Sequence, residues 1–229
     1  DGVPGDAVDA VADQGIQGRP DRQRQPVPEG KIGQRQPDHG IDRPGMQTPV
    51  QKSKVHGLTR SSADFEELAQ DLGKDLRVVA ADMPGRGASD WLPDPTQYAV
   101  PTYVNACVAL VARLNPGTLD WLGTSMGGLI GMGYASLPNN PIRKLIMNDV
   151  GPSLNFSALQ RIGEYVGKPI NFHTLEEART YIRTISQPFG PHSEAQWNAL
   201  TDSVLVKKGT HWTTHYDPAI EQSFQNLSE

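Results

Sequence analysis

With one cysteine in 229 residues, the chain cannot form an internal disulfide. No apolar run approaches the ~20 residues that span a bilayer, and no charged-then-apolar leader opens the sequence, so no membrane partner is expected and the default location is the cytoplasm. Positive charge is also short: 21 Lys and Arg face 26 Asp and Glu, a net charge of -5, which argues against nucleic acid or an anionic membrane as partner. Residues 1–54 contain no leucine, no Phe, Trp or Tyr, and no cysteine; glycine, proline, glutamine, arginine and aspartate dominate. Such a segment cannot bury enough apolar surface to offset an ordering cost of ~1–2 kcal/mol per residue. It is expected to be disordered or non-homologous to the rest of the chain, and its removal is expected to leave the fold intact. A natural tail and a stretch read out of frame or misassembled both fit that composition. The run Val50, Gln51, Lys52, Ser53, Lys54, Val55 is too polar for a strand buried on both faces.

What is present begins abruptly after that run. Leu119 to Thr124 reads as a strand delivering Ser125 into a sharp turn before the small-residue apolar segment Gly128, Leu129, Ile130, Gly131, Met132, Gly133, Tyr134, Ala135. This is a nucleophile elbow of Gly-x-Ser-x-Gly form. A serine in strained backbone geometry requires residues without bulk two before and two after it, and Gly123 and Gly127 supply them. The amides at the start of the helix after the turn then point at the serine.

Two upstream motifs stand in order. His56-Gly57-Leu58-Thr59 precedes a helix opening at Ser61 or Ser62 with Phe65, Leu68, Ala69 and Leu72 on one face, the setting of an oxyanion loop. A short apolar strand from Leu76 to Asp82 then leads into the turn Met83, Pro84, Gly85, Arg86, Gly87, Ala88, Ser89, Asp90. Asp82, Arg86 and Asp90 read as loop-shaping residues, with Arg86 paired to a carboxylate or carbonyl in the turn. From Tyr103 to Leu114 a helical pattern groups Cys107 with Val104, Val108 and Val111, making it a packing residue rather than a reactive thiol.

From about Val55 onward the chain resembles the α/β-hydrolase superfamily, in its capped esterase, lactonase and perhydrolase-like branch. The resemblance implies an α/β fold: a parallel-sheet hydrolase core over residues 55–150, a helical cap over 151–217, and the start of a return to the core over 218–229. It implies acyl transfer through Ser125 as nucleophile, with the backbone N–H groups of Leu58 and Met126 as the oxyanion hole and His56, Gly57, Gly123 and Gly127 as supporting residues. The substrate is a small ester-like molecule, and no metal or organic cofactor is required. The two further strands that carry the family's acid and histidine are not found before Glu229, so the chain is expected to be incomplete at both ends, weakly active and poorly stable. Asp149, ending the strand after the elbow, matches an alternative seat for the triad acid; it equally suits a residue bracing the hinge into the cap.

Helical patterns recur at 156–166, at 174–185 behind a threonine cap, and at 193–200. His39 falls in the first segment, and His173, His192, His211 and His215 in the cap. His211 and His215 have the i, i+4 spacing of a zinc-binding helix, but the glutamate of a His-Glu-x-x-His site and a third ligand are missing, so solvated or packed histidines are expected. Three functions stay open: a serine ester or lactone hydrolase, a non-catalytic hydrolase-like binding protein, and an acyltransferase on the same scaffold.

Overall fold

The computed structural model describes residues 50–168 and 170–224. The expectation for residues 1–49 lies outside them. Strands β1 (Gln51–Val55), β2 (Arg77–Ala81), β3 (Leu119–Thr124) and β4 (Ile142–Asn148) form one parallel sheet in the order β2-β1-β3-β4. Helices α1 (Glu66–Leu72), α2 (Val100–Leu114) and α3 (Met126–Ala135) connect successive strands. The chain leaves β1 for β2 on one side and then crosses to β3 on the other. The carboxyl ends of β1 and β3 therefore flank the point where the winding reverses, where open α/β sheets place their ligands.

The expectation that residues 50–55 are too polar for a buried strand is corrected. Gln51–Val55 is the inner strand β1, with Lys54 aligned between Ala80 and Leu122, and Gln51, Ser53, Lys54 and Val55 all buried. Gln51 to Lys54 thus belong to the sheet, and deleting residues 1–54 would remove most of the strand on which both β2 and β3 pair. Parallel ladders on both sides satisfy the backbone of β1, and that gain overrides its side-chain pattern. The cost is visible in the side chains. Both amide atoms of Gln51 and the Nζ of Lys54 are buried without a hydrogen-bond partner among the described residues.

Packing on one face of the sheet follows the sequence more closely. Tyr103, Val104, Cys107 and Val111 of α2 join Trp121, Ile130 and Tyr134 in the main core, where the Trp121 and Tyr134 rings meet edge to face at 6.0 Å. Burial pushes the Cys107 thiol up to about 12, as suits a packing residue. A side chain at Gly131 would strike Trp121 and Leu145, so the small residues of α3 are what let it lie close to the sheet.

After β4 come α4 (Phe156–Gly163), α5 (Leu175–Ile185) and α6 (Glu194–Asp202). Thr174 with Glu177 and Ser193 with Gln196 form capping boxes on α5 and α6. The segment is not wholly helical, because β5 (Leu205–Lys208) and β6 (His211–Thr214) form an antiparallel hairpin. His211 and His215 therefore do not share a helix face. Four residues along an extended chain are about 13 Å apart, more than twice the distance between neighbours on a helix, which removes the zinc spacing. No group of three metal-ligating side chains occurs among the described residues. Nor is any described helix long and apolar enough to cross a membrane.

Candidate active site

Ser125 directly follows β3 and stands at the N-cap of α3 with φ 49° and ψ -112°, a region that non-glycine residues rarely occupy. Local hydrogen bonds hold this conformation. Its N–H donates to the Asn148 carbonyl at 2.8 Å, and its own carbonyl accepts from the amides of Gly128 at 2.9 Å and Leu129 at 3.2 Å. The flanking glycines are required by contact: a Cβ on Gly123 would overlap the Gly127 carbonyl, and one on Gly127 would overlap the Val55 carbonyl. The elbow is thus wedged against the end of β1, where His56-Gly57-Leu58 begins. A Cβ built on Gly57 would lie 3.9 Å from the Ser125 Cβ, which brings the two motifs together.

His56 is fully buried. Its Nε2 accepts from the Met83 N–H at 2.9 Å, so the ring proton sits on Nδ1, which donates to the Gly57 carbonyl at 2.7 Å. Burial lowers its pKa, and the Gly57 contact opposes that shift without reversing it. Both ring nitrogens are engaged, leaving neither to accept a proton from Ser125. The Gly57 carbonyl and the Leu58 N–H belong to one peptide plane, so the neutral ring sets the direction of that N–H.

The turn after β2 is built around Asp82. Its carboxylate accepts from the Ser62 amide at 2.7 Å and the Ala88 amide at 2.9 Å, while its carbonyl accepts from Ser89 Oγ at 2.7 Å. Burial acts to raise the Asp82 pKa, but these amides prevail and hold it below the usual carboxylate range. Arg86, also fully buried, finds no carboxylate; it donates to the carbonyls of Leu58 and Pro84.

Nothing in the sequence singles out His215 for this turn, yet its Nδ1 accepts from the Gly87 N–H at 2.8 Å. No short-range signal can pair residues 128 apart in sequence. Its buried Nε2 has no hydrogen-bond partner among the described residues, and burial, with His56 nearby, lowers its pKa to about 4. A depressed histidine is neutral in the fold, so the unfolded chain takes up the proton first on acidification. The contribution of His215 to stability should be complete above pH 6.5 and be lost, by roughly 3 kcal/mol, as pH drops toward 4. Urea unfolding across that window checks this. In His215→Asn, which keeps an acceptor but cannot titrate, the loss should shrink by about that amount.

The other candidates lie apart. Asp149 is exposed, with φ 56° and no hydrogen bond among the described residues. His192 bonds the Gly190 carbonyl and packs 4.8 Å from the Trp197 ring, and His173 is exposed. No described histidine is hydrogen-bonded to Ser125 Oγ or to Asp149.

A parallel sheet with a strained serine at its winding reversal and a His-Gly loop against it defines a hydrolase architecture, and the chain belongs to the alpha/beta hydrolase fold family, whose pattern matches residues 55–198. It is 51% identical over 175 residues to a 3-hydroxybutyrate-oligomer hydrolase of Cupriavidus necator, covering 75% of this chain and 60% of that relative's length. An esterase of Mycobacterium tuberculosis is 29% identical over 110 residues, covering 48% of this chain and 35% of that protein. Among solved structures, an alpha/beta hydrolase from Novosphingobium aromaticivorans superposes with a TM-score of 0.69 at 34% identity, covering 79% of this chain and 62% of that one.

Proposed function

We propose that this chain is a serine hydrolase of small carboxylic esters, with Ser125 as nucleophile. The strained Ser125 backbone, seated against Gly57 at the winding reversal, carries this reading. Ser125 Oγ attacks the ester carbonyl, and the N–H groups of Leu58 and Met126 hold the negative oxygen, an interaction whose removal commonly costs ~10²–10³ in rate. The carbonyl re-forms as the alkoxy group leaves as an alcohol, and water then splits the acyl-enzyme into acid and free serine. The likeness to the Cupriavidus necator hydrolase supports esters of short hydroxy acids, including 3-hydroxybutyrate oligomers, as the substrate class.

Deprotonating Ser125 needs a base, and with none hydrogen-bonded to it among the described residues turnover should be low. Removing a member of a serine triad leaves ~10³–10⁴ of acceleration over water. Hydrolysis of 3-hydroxybutyrate dimer and p-nitrophenyl acetate tests the reading, with Ser125→Ala as control. A small, Ser125-dependent release of acid is the expected result; Ser125→Ala matching the parent overturns it. Ester products formed when a competing alcohol is added would instead favour acyl transfer.

A further inference from the structure

The Arg86 guanidinium touches both residues that supply the oxyanion donors. Its Nε donates to the Leu58 carbonyl at 2.8 Å, and one terminal nitrogen lies 3.6 Å from the Met126 Sδ. The other terminal nitrogen donates to the Pro84 carbonyl at 2.8 Å and the Tyr103 hydroxyl at 2.6 Å. Tyr98 and Tyr103 present ring faces to the guanidinium, with centroids 5.6 and 4.9 Å away. Tyr98 in turn donates to Asp217 Oδ2 at 2.7 Å. A buried cation is costly to desolvate, and one paired only with carbonyls, a hydroxyl and rings needs every contact it makes. That demand makes the cluster rigid.

We propose that Arg86 is the positioning residue of the oxyanion hole, clamping the Leu58 loop and the Met126 helix start to one another through a single planar group. This rests on the reading of Ser125 as nucleophile and of Leu58 and Met126 as donors. Leu58 carries two constraints. His56 holds the peptide plane that contains the Leu58 N–H, by way of the Gly57 carbonyl, and Arg86 holds the next plane, by way of the Leu58 carbonyl. Rotation of the first plane would swing the N–H off the developing oxygen, and fixing the second plane at the other side of the Leu58 Cα restrains that rotation. Met126, whose N–H is the other donor, follows Ser125 at the start of α3, and its side chain packs against the same guanidinium. A lysine at position 86 could keep the charge but not the fork, because a point ammonium cannot reach the Leu58 carbonyl, the Tyr103 hydroxyl and Met126 together.

The test is saturation kinetics of Ser125 phosphonylation by a fluorophosphonate, which separates the bond-forming rate constant from the concentration for half-saturation. In Arg86→Met the rate constant should fall about 10- to 100-fold with half-saturation little changed, less than the full loss of a donor because the N–H groups remain. Arg86→Lys should recover only part of it. Thermal melts identify the variants that fold. If Arg86 variants do not fold, Tyr103→Phe removes the 2.6 Å anchor while keeping the ring, and should slow phosphonylation several-fold. A folded Arg86→Lys or Tyr103→Phe chain that reacts at the parent's rate overturns the clamp and leaves the nucleophile reading standing. A parent chain that is never labelled at Ser125 overturns both.

Discussion

Exposed to excess fluorophosphonate, the protein should take label on Ser125 alone among its serines, and Ser125→Ala should remove it entirely. Phosphonylation needs a serine oxygen presented outside the regular helix, donors for the phosphoryl oxygen, and no competing hydrogen bond on the nucleophile. Ser125 meets the first through its positive φ and its position ahead of α3. It meets the last because its Oγ is bonded to no described residue, unlike Ser89, Ser136, Ser157, Ser193, Ser203 and Ser223, whose hydroxyls donate to neighbouring oxygens. Reaction should be slow, because an oxyanion hole with no base hydrogen-bonded to Ser125 among the described residues accelerates only part of the step. Peptide mapping by mass spectrometry checks the site. Label on another serine in the folded chain, with Ser125 unmodified, would refute the assignment.

Lys54→Met should stabilise the protein by about 1 kcal/mol at pH 7, the reverse of what most core substitutions do. Lys54 is 1% exposed; among the described residues its Nζ has no hydrogen-bond partner, and the Phe65 ring lies 5.9 Å away. An unpaired buried ion costs several kcal/mol, and methionine offers a similar length with no charge. For a domain of this size that predicts a melting temperature higher by about 2–4 °C. A pH signature accompanies it. Burial, and to a lesser degree Lys52, pushes the Lys54 ammonium below its ordinary 10.5, so on raising the pH the folded chain releases its proton before the unfolded chain does. Stability of the parent should therefore climb as pH rises through the folded value toward 10.5, and Lys54→Met should lack that climb. Equal or lower stability of Lys54→Met at pH 7 would mean that the ammonium is compensated in a way its contacts do not show.

The elbow is readable in the sequence because its cause is local. A serine forced to positive φ needs glycine on either side, and that need is written within five residues. The same holds for the capping boxes at Thr174 and Ser193, where the side chain that ends the helix is three residues from the amide it satisfies. Strand β1 is not readable, since a buried inner strand ordinarily announces itself by apolar side chains and this one has glutamine, serine and lysine. The hairpin holding His211 is hidden for a different reason. Histidines four apart suit one face of a helix, and nothing within those few residues reveals that Lys208 and Val204 lie across from them along a partner strand.

What the sequence determined by itself was therefore the chemistry that short spacing enforces: the serine in its glycine frame, the His-Gly loop, the strand and turn around Asp82, and the alternation of strand and helix that makes a parallel sheet. Tertiary structure alone decided which of these meet. The Gly57 loop lies against Ser125 only because β1 pairs with β3 in the register that aligns Val55 with Gly123. His215 reaches Gly87, and Arg86 reaches Leu58 and Met126, across gaps of 128, 28 and 40 residues. Contacts of that range are set by how helices and loops close over the sheet, and the free energy that selects them is spread over the whole core, so no window of neighbouring residues carries it.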